Sequence, residues 1–162
     1  MFVFHLPTHV PAFHSYAIWR NSFAVQNYAT CDYKFIGGSN ILAKDMRTHY
    51  PQWNVNIFNC KPLANSVCIG VGAGAGEHTD AYTTHLYRKI LSHSYYHSVR
   101  DERSKRYVED VLGLKAINTG CVTMWALTPD FCAQIPAQKA DNVVFTLTAK
   151  AKADPRDQLL ID

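Results

Sequence analysis

The pattern of apolar and polar positions is clearest in the middle of the chain, where it predicts a parallel crossover unit. An apolar run, Val67 to Val71, enters a ladder of glycines at Gly70, Gly72, Gly74 and Gly76. The segment Asp80 to Ser92 follows, with Leu86, Ile90 and Leu91 at helical spacing. Tyr95 to Val99 is the next predicted strand, and it runs into the charged knot Arg100-Asp101-Glu102-Arg103. Strand, flexible turn, helix and strand in that order make one crossover of a parallel sheet. Ligands of such sheets sit beyond the carboxyl ends of the strands. The glycine ladder and the charged knot both fall at such an end.

The flanking pattern extends the same scheme. Residues 32 to 38, DYKFIGG, predict a short strand with Phe35 and Ile36 as its apolar centre. Gly37-Gly38 at its end permit positive φ or a close backbone approach. Ser39 and Asn40 are placed to cap a predicted helix, Ile41 to Thr48, which Pro51 stops. Trp53, Val55, Ile57 and Phe58 nearly alternate, as in a partly buried strand or an extended loop. Lys61-Pro62-Leu63 leads into the strand at Val67. After the knot, Asp101 or Ser104 caps a predicted helix, Lys105 to Leu112, and Gly113 ends it. Leu114 to Ile117 reads as a strand and Gly120 to Leu127 as a loop or strand. Pro129, Pro136 and the polar stretch Gln138 to Asp141 read as a linker. Asn142 to Thr148 predicts a strand, and Pro155 to Ile161 the start of a helix. Residues 1 to 30 are weakly patterned, with a helix predicted around Tyr16 to Tyr28 in which Ile18, Ala24 and Val25 share a face. The expected fold is α/β: a Rossmann-like parallel sheet with flanking helices over residues 1–137. Residues 138–162 are expected to be a linker and the start of a second domain.

Composition narrows the function classes. A chain of 162 residues suits one domain and can bury roughly 70% of its unfolded surface. At 48% hydrophobic and 18% charged it is globular rather than disordered. The net charge of +3 is mild, and its basic residues alternate with acids, so no nucleic-acid stripe is expected. The five cysteines are odd in number and lack CxxC spacing, which points to reduced thiols and a cytoplasmic setting. Cys68, inside an apolar strand, reads as a small hydrophobe. No run approaches the ~18 apolar residues of a membrane span. The opening MFVFHLPTHVPAF lacks a basic start and is broken by Pro7 and Pro11, which argues against a signal peptide.

Several residues offer chemistry. Gly70-x-Gly72-x-x-Ala75 is a formal dinucleotide fingerprint, which would hold a pyrophosphate at a helix N-terminus. The acid expected about 20 residues later is absent around Ile90. Nor does an Asp or Glu precede the glycines as a methyltransferase-like site would need. The other reading of the ladder is a flexible loop, able to cradle a different anion. Arg100 either reaches the crevice and grips a carboxylate or phosphate bidentately, or forms a structural salt bridge beside a cap by Asp101. His93 and His97 have metal-ligand spacing, but His97 falls in a strand and no third ligand is suitably spaced, so no metal is assigned. His78, just past the glycines, is better placed than these to meet an anion, against the favoured reading of an exposed loop histidine. Cys121 as a nucleophile has no base marked for it.

Four stretches together resemble the polysaccharide pyruvyl transferase family: DYKFIGGSNIL, VCIGVGAGAG, HSVRDERSKRYVEDVLGLKAINTGCVTMWAL and DNVVFTLTA. The family pattern is a strand ending in GGxN, a strand ending in GxG, and the phrase SVRDxxS followed by a helix and LG. Here that phrase is Ser98-Val99-Arg100-Asp101 with Ser104, then Leu112-Gly113. The resemblance spans roughly residues 32 to 150. It implies two Rossmann-like domains arranged as in a GT-B glycosyltransferase, with the active site between them. It implies transfer of a pyruvyl unit from phosphoenolpyruvate to sugar hydroxyls of a surface polysaccharide, with no cofactor besides that donor substrate. Arg100 matches the arginine of the family phrase and is the first candidate for donor contact. Gly38, Asn40, Gly72 and Gly74 are further candidates, from the GGxN and GxG ends, and His78 is one by position. Two departures stand out. The usual GNxGD turn is missing from residues 1 to 30, where Arg20-Asn21-Ser22 is the nearest match. The Arg-x-His phrase of the second domain is also missing. The chain is therefore expected to be the central part of such an enzyme, and inactive when isolated. A second reading is a non-catalytic interaction module that self-associates through the face meant for the missing half. A third is a nucleotide-dependent oxidoreductase or methyltransferase, which requires tight NAD or S-adenosylmethionine binding at Gly70 to Gly76.

Overall fold

The computed structural model describes residues 30–38, 40–47, 55–74 and 78–138. The predicted helix at Tyr16 to Tyr28, the strand at Asn142 to Thr148 and the helix start at Pro155 to Ile161 lie outside them. The chain divides into two units, Met1–Leu127 and Thr128–Asp162.

The first unit is a small α/β fold built on short parallel strands: β1 Lys34–Gly37, β2 Ser66–Ile69, β3 His97–Val99 and β4 Ala116–Asn118. β1 pairs with β2, placing Ile36 opposite Cys68, and β3 pairs with β4, placing Ser98 opposite Ile117. A bridge between Val71 and Val99 joins the two pairs, so the strands run in the order β1-β2-β3-β4. Parallel crossovers are right-handed, which puts successive connections in such an order on one face of the sheet. The alternation fits. Ile36, Cys68, Val99 and Ala116 are buried, while Phe35 (42%) and Ile117 (51%) stay exposed on the other side.

Two helices cover the buried face. In α1, Ala81–Ile90, Asp80 caps the first turn by accepting from the Thr83 N–H at 2.7 Å. Its stripe of Leu86, Tyr87 and Ile90 is fully buried, and each such side chain contributes about 1.5–3 kcal/mol. Arg88 and Lys89 in the last turn complement the helix dipole. α2, Glu102–Arg106, is capped by Asp101, which accepts from the Ser104 N–H at 2.7 Å. It widens at Tyr107–Val111, where the Leu112 N–H reaches back to the Tyr107 carbonyl. Gly113, at φ +67°, then terminates it. The helix begins at Glu102 rather than Lys105 because Asp101 is the cap. Ser104 is engaged elsewhere: its hydroxyl accepts from the Ala73 N–H at 2.8 Å.

Three expectations need correction. Residues 41–47 are not helical. The Leu42 N–H donates to the Gly72 carbonyl (3.2 Å) and the Gly74 N–H to the Leu42 carbonyl (2.7 Å), so the chain continues as a bridge beside the glycine ladder. Ile41, Leu42 and Ala43 are consecutive and all buried, which an amphipathic helix would not permit. Residues 57–59 form a turn, neither the partly buried strand nor the extended loop expected, with Asn56 Oδ1 accepting from the Phe58 N–H. In the second unit, the stretch read as linker holds a short helix, α3 Pro129–Ala133. Thr128 caps it and Pro129 opens it.

Side chains fill the seam between β2 and β3. The Cys68 N–H donates to His97 Nδ1 at 3.2 Å, and His97 Nε2–H donates to the Ser92 carbonyl at 2.9 Å. The Gly70 N–H donates to Ser98 Oγ at 2.9 Å. Main-chain pairing resumes where the Arg100 N–H meets the Val71 carbonyl at 2.9 Å. The buried imidazole thus stands in for a strand carbonyl, and its two bonds require the neutral Nε2–H form.

Burial lowers the His97 pKa below its usual 6.5 and outweighs the Ser92 carbonyl, which favours the cation; nearby His93 lowers it further. A lowered folded pKa contributes stability that is full above the unfolded value and is lost as pH falls toward the folded one. We expect the urea unfolding free energy to decline between about pH 7 and pH 5. His97→Gln should be less stable at neutral pH and lose part of that decline. A wild-type stability flat across this range would contradict the role.

Candidate functional site

The carboxyl ends of β1, β2 and β3 meet at residues 38 and 40–42, 70–74 and 99–101. The middle segment is held from both sides: Leu42 bonds to Gly72 and Gly74, and the Arg100 N–H to Val71. Over residues 71–74 the glycine ladder is therefore a pinned strand extension, entered through a left-handed turn at Gly70 (φ +59°), and not a flexible loop. Gly72 leaves room that a side chain would take from two neighbours. A Cβ there would lie 2.5 Å from both Arg100 Nε and Asn40 Oδ1. A Cβ on Gly74 would lie 3.3 Å from the Ala43 Cα. The absent side chain at Gly72 lets two polar side chains close over the strand, and that at Gly74 lets the 42–43 backbone pack beside it.

Those groups are Asn40 and Arg100. Arg100 Nη2 donates to Asn40 Oδ1, and Arg100 Nε faces Asp101 Oδ2 at 3.5 Å. Asp101 also caps α2 through its other oxygen. Desolvation would raise the Asp101 pKa, but hydrogen bonds from Ser104 and the charge of Arg100 outweigh it and hold the carboxyl below its usual value. The Arg100 side chain is 30% exposed. Its Nη1 hydrogens and the second Nη2 hydrogen have no partner among the described residues. That Nη1–Nη2 edge has the fork geometry that matches a carboxylate or phosphate.

The six residues singled out from the sequence divide accordingly. Asn40, Gly72 and Arg100 converge. Gly74 joins them through Leu42, and its carbonyl lies 3.5 Å from Arg103 Nη2. Gly38, two residues before Asn40, turns the chain out of β1 at φ +138°, a conformation that favours glycine. His78 is exposed and shares no hydrogen bond with the group among the described residues.

Other residues at this end pair with one another in ways the sequence does not show. Ser98 Oγ and Thr119 Oγ1 lie 2.6 Å apart, tying β3 to the chain after β4. Cys121 follows, with Sγ 3.0 Å from Thr123 Oγ1. Hydrogen bonds from Thr123 lower its thiol pKa, and the charge of Arg100 adds to the effect. The Cys121-x-Thr123 spacing is a local signal, but the approach of Arg100 is visible only in the fold.

Two other readings lose ground. The ladder does not run into a helix N-terminus as a dinucleotide site requires, because α1 starts at Ala81 and the Asp80 carboxylate occupies its first turn. His93 bonds to the Arg88 carbonyl and His97 is locked in the seam. Among the described residues, no three His, Cys, Asp or Glu side chains are grouped to hold a metal. No helix of the described residues is long and apolar enough to cross a membrane.

The family model for polysaccharide pyruvyl transferase matches residues 4–160. The chain belongs to the polysaccharide pyruvyl transferase family. The match reaches beyond residues 32 to 150 and takes in the opening segment, despite its missing GNxGD turn. No curated protein and no solved structure matches the chain. In this family member the Arg100-Asp101 phrase is the junction of seam, helix cap and guanidinium.

Gly72→Ala should keep the fold, displace the Asn40–Arg100 pair and cost about 1–3 kcal/mol in urea unfolding. A neutral substitution would contradict the close approach. Among the thiols, Cys121 should be alkylated first by iodoacetamide. Cys68 is fully buried with its pKa pushed up to about 12, so it should stay unlabelled until the protein unfolds. Peptide mass spectrometry reads both, and early labelling of Cys68 would refute the packing.

Proposed function

We propose that this chain carries the donor-binding part of a pyruvyltransferase that moves a pyruvyl unit from phosphoenolpyruvate to a sugar of a surface polysaccharide. The observation that carries the reading is the open Nη1–Nη2 edge of Arg100 at the carboxyl end of β3. Family membership supports the reaction class. The chemistry needs a fixed cation. Protonation of the methylene carbon of phosphoenolpyruvate leaves an electrophilic C2. One sugar hydroxyl adds to C2 and gives up its proton. A second hydroxyl displaces phosphate and gives up its proton, which leaves a ketal. Through these steps the donor carries a carboxylate and a phosphate, and a preorganised guanidinium holds either in place.

In this reading the chain forms one Rossmann-like half of a GT-B arrangement over residues 1–137. Residues 138–162 are read as a linker and the start of a second domain, and the acceptor is a saccharide. The reaction is cytoplasmic and needs no cofactor beyond its donor. Gly38, Asn40, Gly72 and Gly74 shape the donor pocket around Arg100, and His78 lies at its rim.

Phosphoenolpyruvate should raise the melting temperature of the wild-type chain by mass action, and Arg100→Ala should abolish the shift. No shift in the wild type at millimolar donor would remove the reading. A second reading, a non-catalytic interaction module, draws on the exposed Phe35 and Ile117 of the outer sheet face. It expects self-association on size-exclusion chromatography, and a clean monomer would set it aside.

A further inference from the structure

The donor reading rests on Arg100, but nothing in it says why Asn40 stands beside that arginine. Asn40 Oδ1 accepts from Arg100 Nη2 across Gly72. It uses one of the five guanidinium hydrogens, and the Nη1 hydrogens have no partner among the described residues. Asp101 takes the Nε end. Between them, two acceptors fix the plane of the guanidinium and leave one edge unfilled. The two differ in charge. The Asp101 carboxylate also caps α2, so its negative charge is shared with the helix N-terminus. Asn40 is neutral, and it orients Arg100 without cancelling its charge.

We propose that Asn40 is a positioning residue whose neutrality sets the anion affinity of Arg100. It holds the Nη1–Nη2 edge open toward a carboxylate or phosphate. A carboxylate at position 40 would satisfy the same geometry but neutralise the guanidinium from a second side. A residue with no acceptor would release the guanidinium to rotate. Gly72 belongs to the same device, since any side chain there would stand in the path of the pair. This inference rests on the donor reading for its ligand, but not for its geometry.

Two measurements test it on the full chain, with folding of each variant checked by circular dichroism and urea unfolding. The first is calorimetric titration with phosphoenolpyruvate and with inorganic phosphate. Asn40→Asp should weaken both by about tenfold or more, and Asn40→Ala by less, in line with the size of one charge-assisted contact. Asn40→Asp binding as tightly as the wild type would overturn the proposal. If Arg100→Ala abolishes binding while both Asn40 variants bind normally, the donor reading stands and this inference fails. If Arg100→Ala binds normally, the donor reading itself fails. The second measurement needs no ligand: nitrogen-15 NMR of the Arg100 guanidinium at low temperature. Distinct Nη signals in the wild type and in Asn40→Asp, averaged in Asn40→Ala, support the positioning role. Averaged signals in the wild type overturn it, whether or not a ligand binds.

Discussion

The structure turns on the main-chain bridge at Val71, whose N–H donates to the Ser98 carbonyl and whose carbonyl accepts from the Arg100 N–H. It closes the seam between the two strand pairs. Below it, His97 and Ser98 side chains take the β2 N–H groups that a regular ladder would give to backbone. Above it, the chain leaves β3 and enters the cap of α2. The bridge therefore sets the register of β3 against β2 and places the Arg100 side chain over Gly72. A slip of one residue would turn that side chain to the other face.

The glycines become intelligible from this bridge. Such a ladder suggests mobility or a phosphate loop, and residues 70–74 are neither. Gly70 turns at φ +59°, and beyond it Ala73 is bridged to Leu42 on one side and Val71 to Val99 on the other. The glycine at position 72 serves a neighbour, because the space its Cβ would need belongs to Arg100 and Asn40. The polar atoms at this end are engaged in pairs: Ser98 with Thr119, Asp101 with Ser104, Cys121 with Thr123. Arg100 alone among these residues combines a full charge with an unfilled edge.

Much of this was legible in the sequence, and the rest fails for physical reasons. The strands at Lys34–Gly37 and Ser66–Ile69, the helix after Asp80 and the stop at Gly113 follow from local patterning and caps. So does the grouping of glycines and charges at the strand ends. The helix predicted after Asn40 fails because the Asn40 side chain bonds to a residue sixty positions away. A local cap signal cannot report that competition. The seam was equally hidden, since His97 looks like any strand histidine until its ring is seen bonded to Cys68 and Ser92. The family resemblance found Arg100, while the geometry around it required the fold.

We propose that the ends of β1, β2 and β3 form one anion site around Arg100. An amide chemical-shift titration of the full chain with phosphoenolpyruvate tests it most directly. The account predicts that the largest changes cluster at Asn40, Gly72 and Arg100, three positions far apart in sequence. Changes that spare these three and collect elsewhere on the chain would contradict it.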